Sequence, residues 1–184
     1  MSDGNIIYTI MDEDKLQKVI KRIASEIVAD YMGSYKLVIV GLKTRGEFIA
    51  NRIIEEIRKS ENIDIETGVL DATLYRDDFR IKLKVPNISI DDMPFTIDDK
   101  KIILVDDVVF TGRSILAAIN ALMDRGRPKV IQFAALIDRG MRELPIKPDY
   151  IGEVVKTLPS QEIRVKLSEV DKENSVYLIE NKIK

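Results

Sequence analysis

The chain has 184 residues, a formal net charge of −2 at pH 7, 45% hydrophobic residues, and no cysteine or histidine. This length and apolar content fit one globular domain over residues 1–184, and the small net charge excludes broad, unspecific attraction to nucleic acid. Disulfides, thiolate nucleophiles and Cys- or His-based zinc sites are excluded, so a bound cation should prefer oxygen, as Mg²⁺ does. Because neither a signal segment nor a run of eighteen apolar residues occurs, we expect a cytoplasmic protein without membrane insertion.

The first predicted element is a helix that Asp12 caps and Gly33 ends. Its apolar residues recur at three- and four-residue steps, which predicts a buried face; they are Leu16, Val19, Ile20, Ile23, Ile27 and Tyr31. A second side carries a basic stripe made of Lys15, Lys18, Lys21 and Arg22, with Ser25 beside them. Such a stripe is either a solvated helix face or a nucleic-acid contact, and the helix pattern alone leaves both open.

The next predicted elements alternate between strand and helix. Residues 36–40 predict a short buried strand, 41–46 a loop, 48–57 a helix and 66–74 a strand. A polar stretch over residues 75–92 follows, in which residues 81–85 have a strand-like composition. Because this stretch exceeds the usual length of a connection, we expect it to be functional or mobile.

The alternation continues to the end of the chain. Residues 102–105 predict a central strand, 114–124 a helix and 130–137 another strand, which together indicate a parallel α/β sheet. Three later segments, 153–155, 163–167 and 176–179, predict strands of a small cap or of the sheet edge.

The run from Ile102 to Ser114 has the layout of a ribose phosphate site. Asp106 and Asp107 directly follow a buried strand, where ligands of open α/β sheets bind and where carboxylates can hold sugar hydroxyls. The turn after them ends at a helix start, so its backbone N–H groups and hydroxyls can surround a phosphate; it comprises Thr111, Gly112, Arg113 and Ser114. The alternative is an ordinary strand, turn and helix with a chance pair of carboxylates.

Two further segments complete the predicted site. The loop from Gly41 to Gly46 brings Lys43, Thr44 and Arg45 to the same sheet edge, which suits a pyrophosphate group; the alternative is a turn with solvated charges. Arg76 begins the long polar stretch, which we interpret as a lid that excludes water and lays Arg76 against developing charge. The neighbouring acidic pair at 77–78 also fits a solvated turn.

The run 102–114 resembles the 5-phosphoribosyl-1-pyrophosphate (PRPP) motif of type I phosphoribosyltransferases. Together with residues 73–78 and 136–152, it makes the chain resemble the PyrR family of pyrimidine operon attenuation proteins and uracil phosphoribosyltransferases over nearly its whole length. The resemblance implies a type I phosphoribosyltransferase fold, with a mainly parallel sheet, flanking helices and a small hood. It also implies that uracil and PRPP react with Mg²⁺ to give UMP and pyrophosphate, and that the protein is a homodimer or homotetramer.

The resemblance assigns roles to individual residues. It gives the pyrophosphate to Lys43, Thr44, Arg45 and Arg76, the ribose phosphate to Asp106, Asp107 and the 111–114 turn, and leaves Mg²⁺ to be held through PRPP. It gives the hood over the base to Asp138, Arg139 and Gly140. Relatives that act on 6-oxopurines carry an Asp where Phe110 stands, and because a phenyl ring accepts no proton, Phe110 favours a pyrimidine. The alternative is that Phe110 is a buried packing residue.

The family's second activity is binding of a pyrimidine-operon mRNA segment in the presence of a uridine nucleotide. For that activity the basic stripe offers Lys18, Lys21 and Arg22. Four residues depart from the family pattern. Ser25 and Met141 stand where it usually has His, Lys147 stands where it commonly has Arg, and Glu153 stands where it usually has a basic residue. A regulator that binds nucleotide and RNA without catalysis, and an enzyme for another base, therefore stay as alternatives.

Overall fold

The computed structural model describes residues 5–31, 33, 35–71 and 93–180. In chain order its elements are β1 (Asn5–Met11), α1 (Glu13–Asp30), β2 (Leu37–Leu42), α2 (Arg45–Ser60), β3 (Ile65–Leu70), β4 (Lys101–Val109), α3 (Arg113–Arg125), β5 (Val130–Asp138), β6 (Tyr150–Val154), β7 (Gln161–Lys166), α4 (Ser168–Asp171) and β8 (Ser175–Glu180). None of the helices in these ranges is long and apolar enough to span a bilayer. The lid prediction, with Arg76 and the strands near 81–85, lies outside the described residues.

The main sheet has five parallel strands in the order β3-β2-β4-β5-β6, which confirms the predicted α/β architecture. All six residues of β2 are buried, as expected for a central strand that is covered on both faces. Alternate residues serve opposite faces: Leu37 and Ile39 pack with α1 and α2, whereas Val38 and Val40 pack with α3. The sheet thus has a hydrophobic core on each side.

The two long helices of one face form where their apolar periodicity predicts them. Asp12 caps α1, its Oδ1 accepting the Lys15 backbone N–H at 2.8 Å. α1 ends at Asp30, three residues before the predicted stop at Gly33. On the opposite face α3 ends at Gly126, where the apolar spacing also stops.

A second, antiparallel sheet has the order β1-β8-β7. Two of its strands confirm the predicted cap, whereas β6 is a parallel edge strand of the main sheet and begins three residues before the predicted strand. β1 was not predicted, because five of its seven residues are exposed and its apolar residues show no alternation. Inward residues of this sheet, including Val165 and Leu178, join the core around α1 and α2. We refer to this sheet together with α4 as the hood, and it packs on the same core as the main sheet.

Candidate active site at the carboxyl end of the main sheet

The two adjacent carboxylates lie on a part of β4 that extends past its neighbour. β2 pairs with β4 as far as Gly41 and Val105, whereas β5 continues alongside β4 to Val109. Asp106 and Asp107 are therefore within the strand and not after it, which corrects the predicted strand end. Asp106 Oδ1 accepts the Asp107 N–H at 2.9 Å, and Asp107 Oδ1 accepts the Val108 N–H at 2.8 Å. Both carboxylates are thus held in place by backbone donors at an open edge.

The turn after β4 leads directly into α3. Gly112 occupies the cap position with φ +92°, a conformation that favours glycine, and it supplies no side chain to bond the first N–H groups of the helix. Thr111 is buried, and its Oγ1 accepts the Arg113 N–H at 3.3 Å. Arg113 Nε donates to Glu143 Oε2 at 2.7 Å, while Ser114 is half-buried in the first turn. The helix start therefore offers backbone donors and a positive dipole end to an anion.

The loop after β2 is shorter than predicted, because β2 runs through Leu42 and α2 begins at Arg45. Its glycines do not open space for a ligand. A Cβ on Gly41 would lie 2.8 Å from the Glu47 backbone N, and one on Gly46 would lie 3.1 Å from Asp106 Cα. The missing side chains let the first turn of α2 pack directly on β2 and β4. Consequently the loop residues and the acidic pair occupy one place at the sheet edge.

The three cationic and hydroxyl residues predicted for pyrophosphate differ in their surroundings. Lys43, half-buried, donates its backbone N–H to Leu70 O at 3.0 Å and forms a cis peptide bond with Thr44, which is exposed. Arg45 instead directs Nη2 at both carboxylate oxygens of Asp171 on α4, each at 3.0 Å. Its Nε is buried and has no hydrogen-bond partner among the described residues. Arg45 thus connects the start of α2 to the hood, and its role toward a ligand stays a prediction.

Beyond the end of β4, the Arg139 guanidinium lies over the Phe110 ring. The guanidinium carbon of Arg139 is 4.0 Å from the Phe110 ring centroid, a distance typical of a cation–π pair. Arg139 Nε donates to Thr157 Oγ1 at 3.1 Å and Nη2 to Gln161 O at 2.9 Å, which fixes it under the hood. Burial lowers the pKa of Arg139 below its ordinary value. Because 37% of Phe110 is exposed, the alternative that it is a buried packing residue does not hold.

The turn after β5 carries Arg139 and has a fixed backbone conformation. Asp138 Oδ1 accepts the Gly140 N–H at 2.8 Å, and Gly140 has φ +74°. Asp138 Oδ2 forms an ion pair at 2.8 Å with Arg142, a residue that the sequence did not single out. Arg142 lies within the run 136–152 that carries the resemblance, but no periodicity marks it as a single residue, since it lies on the irregular segment between β5 and β6. The structure therefore brings Asp138, Arg139 and Gly140 together with Phe110, and adds Arg142.

The basic stripe of α1 divides into two groups. Lys15 pairs with Glu153 at 2.7 Å, and Arg22 pairs with Glu26 at 2.5 Å while donating to the Ile151 and Gly152 carbonyls. Lys18 and Lys21 are exposed, and neither forms an ion pair with any residue that the structure describes. Of the tentative RNA residues, Arg22 is thus already bonded to β6, whereas the two lysines face solvent.

The donor atoms near the acidic pair suit a hard cation. Carboxylate and hydroxyl oxygens are the ligands that Mg²⁺ prefers, and the chain has no softer His or Cys alternative. Within the described ranges no three His, Cys, Asp or Glu side chains converge in a way that could hold a metal ion. Oxygen atoms of this kind fit a hard cation such as Mg²⁺, and the prediction that Mg²⁺ is held through PRPP stays a prediction.

Comparison with known proteins gives consistent results. The phosphoribosyl transferase domain model matches residues 9–169. The chain is 48% identical over 169 residues to the bifunctional protein PyrR of Acetivibrio thermocellus, covering 92% of each chain. It is also 48% identical over 164 residues to that of Halalkalibacterium halodurans, covering 88% of this chain and 91% of the relative.

Solved structures show the same fold at low sequence identity. A hypoxanthine phosphoribosyltransferase from Staphylococcus aureus aligns with a TM-score of 0.72 and 17% identity, covering 96% of this chain and 92% of the other. The enzyme of the same name from Trypanosoma cruzi, in complex with the product IMP, gives a TM-score of 0.74 and 15% identity over 98% and 94% of the two chains. At such identities the likeness concerns the fold alone.

Proposed function

The chain belongs to the PyrR family, within the proteins that share a phosphoribosyl transferase domain, and from this premise we propose that residues 1–184 act as one uracil phosphoribosyltransferase domain. The observation that carries the proposal is the convergence at one sheet edge. There Gly46 packs on the backbone of Asp106, which brings the loop at Lys43 and Thr44 next to the pair Asp106 and Asp107, and β4 leads from that pair into the turn at the start of α3. PRPP has a matching sequence of groups, namely pyrophosphate, ribose and 5′-phosphate.

The proposed reaction forms a bond between N1 of uracil and C1 of PRPP, breaks the bond from C1 to the pyrophosphate oxygen, and passes the N1 proton to the released pyrophosphate or to water. C1 becomes cationic as the C–O bond breaks before the C–N bond forms, so nearby carboxylates stabilise it. Asp106 and Asp107 hold the ribose hydroxyls, and their negative charges lie where this positive charge develops. The α3 start, with Thr111 and Ser114, binds the 5′-phosphate through backbone N–H groups and hydroxyls.

The leaving group requires positive charge of its own. Lys43, Thr44 and Arg45 are proposed to bind the pyrophosphate, with Arg76 from the segment beyond β3. Mg²⁺ that enters with PRPP would be held by its oxygens, and it would supply neutralisation of the leaving group. Because Asp171 occupies Nη2 of Arg45, the pyrophosphate would be bound by the other N–H groups of that guanidinium, or by Nη2 after its bond to Asp171 is exchanged.

For the base, the proposed position is against the Phe110 ring and beneath the turn at Asp138 to Gly140. A flat uracil ring would stack on the part of the phenyl ring that Arg139 leaves exposed, while Arg139, 4.0 Å from the ring centroid, supports Phe110 from its other face. Phe110 supplies no proton acceptor for a purine N7. This favours a pyrimidine over hypoxanthine or guanine.

The direct test is a base panel. The protein is incubated with Mg²⁺, PRPP and uracil, adenine, hypoxanthine or orotate, and the product is identified by mass. Formation of UMP from uracil alone is expected. A nucleotide of another base would support the rival enzyme, and no nucleotide with any base would overturn the enzyme proposal.

A second proposed function is uridine-nucleotide-dependent binding of a pyrimidine-operon mRNA hairpin, as a cytoplasmic homodimer or homotetramer. The supporting observation is that Lys18 and Lys21 are exposed one helical turn apart, without ion-pair partners in the described chain. Gel binding to a pyrimidine-leader hairpin with and without UMP tests the RNA contact. Light scattering at the same protein concentration tests the assembly.

A further inference from the structure

One guanidinium connects three segments of the candidate site. Arg142 lies on the irregular segment between β5 and β6, and its side chain is only 20% exposed. It has five oxygen acceptors between 2.7 and 3.3 Å. These acceptors are the backbone carbonyls of Val109, Phe110, Gly140 and Ile146 and a carboxylate oxygen of Asp138.

These acceptors lie on both halves of the proposed nucleotide site. Val109 and Phe110 end β4 and begin the turn that leads to the phosphate-binding start of α3. Asp138 and Gly140 form the turn proposed to cover the base. The segment that carries Arg142 also packs on the phosphate turn, since the Glu143 and Leu144 N–H groups both donate to Thr111 O at 3.1 Å.

We propose that Arg142 is a positioning residue that holds the phosphate turn and the base turn in register for the nucleotide. This inference rests on the proposed function. A planar guanidinium with several fixed donors can bond carbonyls on separate segments at once. At the end of β4 it bonds the Phe110 carbonyl at 2.7 Å and adds a donor to the Val109 carbonyl, which also accepts the Arg139 N–H at 3.2 Å. Lysine has a single nitrogen at the end of a flexible stem and cannot reach acceptors on all three segments.

A positioning role for Arg142 should affect UMP and PRPP differently from pyrophosphate. UMP and PRPP both use the phosphate turn, and UMP also uses the base turn. Pyrophosphate is proposed to bind at Lys43 and Thr44, after β2, where Arg142 makes no contact among the described residues. Loss of Arg142 should therefore weaken UMP and PRPP but spare pyrophosphate, which general unfolding would not do.

The experiment compares Arg142→Gln and Arg142→Lys with Arg164→Gln, in the full chain. Arg164 is a suitable control because its side chain is 27% exposed, pairs with Glu162 only at 3.5 Å, and has no hydrogen bond or ion pair to either turn among the described residues. Steady-state kinetics are measured in both directions, with thermal unfolding as the folding check. The KM for UMP and for PRPP should rise roughly 10- to 100-fold in Arg142→Gln, and less in Arg142→Lys, while the KM for pyrophosphate stays within about twofold.

Each outcome decides the inference. Unchanged UMP and PRPP constants in folded Arg142→Gln, or equal rises for all three ligands in Arg142→Lys, would overturn it. If Arg142→Gln does not fold, the Lys variant, which keeps the charge opposite Asp138, carries the test. Failure of the unmodified protein to make UMP is a separate result that rejects the proposed function; in that case direct calorimetry of PRPP binding to the same variants still tests Arg142.

Discussion

Two acidic residues of the main sheet, Glu66 near its amino end and Asp107 at its carboxyl end, are held in different ways. At the amino end, Glu66 of β3 pairs with Lys36, which directly precedes β2, and with Lys100, which directly precedes β4. Burial alone would raise the pKa of Glu66, but the hydrogen bonds from the two lysines lower it below its ordinary value. At the carboxyl end, Asp107 forms no ion pair with any described residue and bonds only to its own strand. Charges that satisfy one another stabilise a fold, whereas carboxylates fixed by backbone donors are presented to a ligand.

The amino end has a second cluster of the same kind, centred on Asp30 at the end of α1. Its carboxylate accepts from Lys101 at 2.9 Å, Tyr150 at 2.7 Å and Gln132 at 3.0 Å. The hydrogen bond from Lys101, followed by those from Tyr150 and Gln132, lowers the pKa of Asp30 well below its ordinary range. Burial and the neighbouring Asp30 carboxylate raise the pKa of Tyr150. These shifts are large, yet the cluster lies at the sheet end opposite the proposed catalytic residues, so a perturbed pKa alone does not locate an active site.

The largest effect is expected from the carboxyl end. Replacing Asp106→Asn and Asp107→Asn together should lower kcat/KM for UMP synthesis by about 10²-fold or more, because both negative charges next to the developing cation are lost. The unfolding temperature should change little, since amide oxygens still accept the Asp107 and Val108 N–H groups.

Circular dichroism and thermal unfolding of the double variant serve as controls for the fold. Near-normal turnover in the folded double variant would show that the carboxylates are not catalytic, and the contrast between the two ends would lose its functional meaning.

Base choice should give the next largest effect. Because Phe110 offers no proton acceptor, we expect kcat/KM for hypoxanthine and guanine to be about 10²-fold or more below that for uracil. Competition between uracil and hypoxanthine in one reaction, read by mass, measures the ratio directly. Efficient IMP formation would contradict the pyrimidine assignment and bring this pocket closer to the purine enzymes whose fold it shares.

The same contrast explains what the sequence could reveal. Central strands such as β2 are buried on both faces, so their composition alone identifies them. The extension of β4 through Asp106 depends on β5 as a partner, and no local pattern reports a partner. Arg45 is bonded to Asp171, 126 residues away, and a charged loop residue looks the same whether it meets a ligand or the hood. The acidic pair and the turn into α3 could be proposed as a site from the sequence because their residues are contiguous. Arg142 was missed because four of its five partners are backbone carbonyls, which no side-chain pattern reports.

A third prediction tests the amino end through stability. Asp30→Asn should lower the free energy of unfolding by about 1 kcal/mol at pH 7, because the charged partner of Lys101 is lost at a half-exposed site. UMP synthesis should not change. Urea unfolding of both proteins between pH 7 and pH 3 measures the difference.

The pH dependence has a definite sign. Since the folded state lowers the pKa of Asp30, its contribution is complete above the ordinary Asp value of about 4 and declines as the pH falls below it. The difference between the two proteins should therefore shrink toward pH 3. Asp64→Asn is a matched control: its carboxylate is 83% exposed and pairs with Lys36 at 3.4 Å, so little change is expected. A constant difference from pH 7 to pH 3 would show that Asp30 acts through packing and not through its charge.

The smallest expected effect concerns RNA and separates the two groups of the basic stripe. Replacing Lys18→Gln and Lys21→Gln should weaken hairpin binding a few-fold. It should also reduce the magnitude of the slope of log K against log salt by about 1.4 to 1.8, because binding releases fewer counterions when two phosphate contacts are lost. Arg22→Gln should act differently, because Arg22 bonds Ile151 and Gly152 and its loss loosens β6. It should lower the unfolding temperature as well as RNA affinity, whereas the lysine variants should leave both stability and UMP synthesis intact.

If the unmodified protein shows no UMP-dependent binding, the RNA proposal fails and the changes at Ser25, Met141 and Glu153 become the structural explanation. Glu153 would contribute to that loss of RNA binding, because its carboxylate pairs with Lys15 on the same surface and takes up a positive charge that an RNA phosphate would otherwise contact.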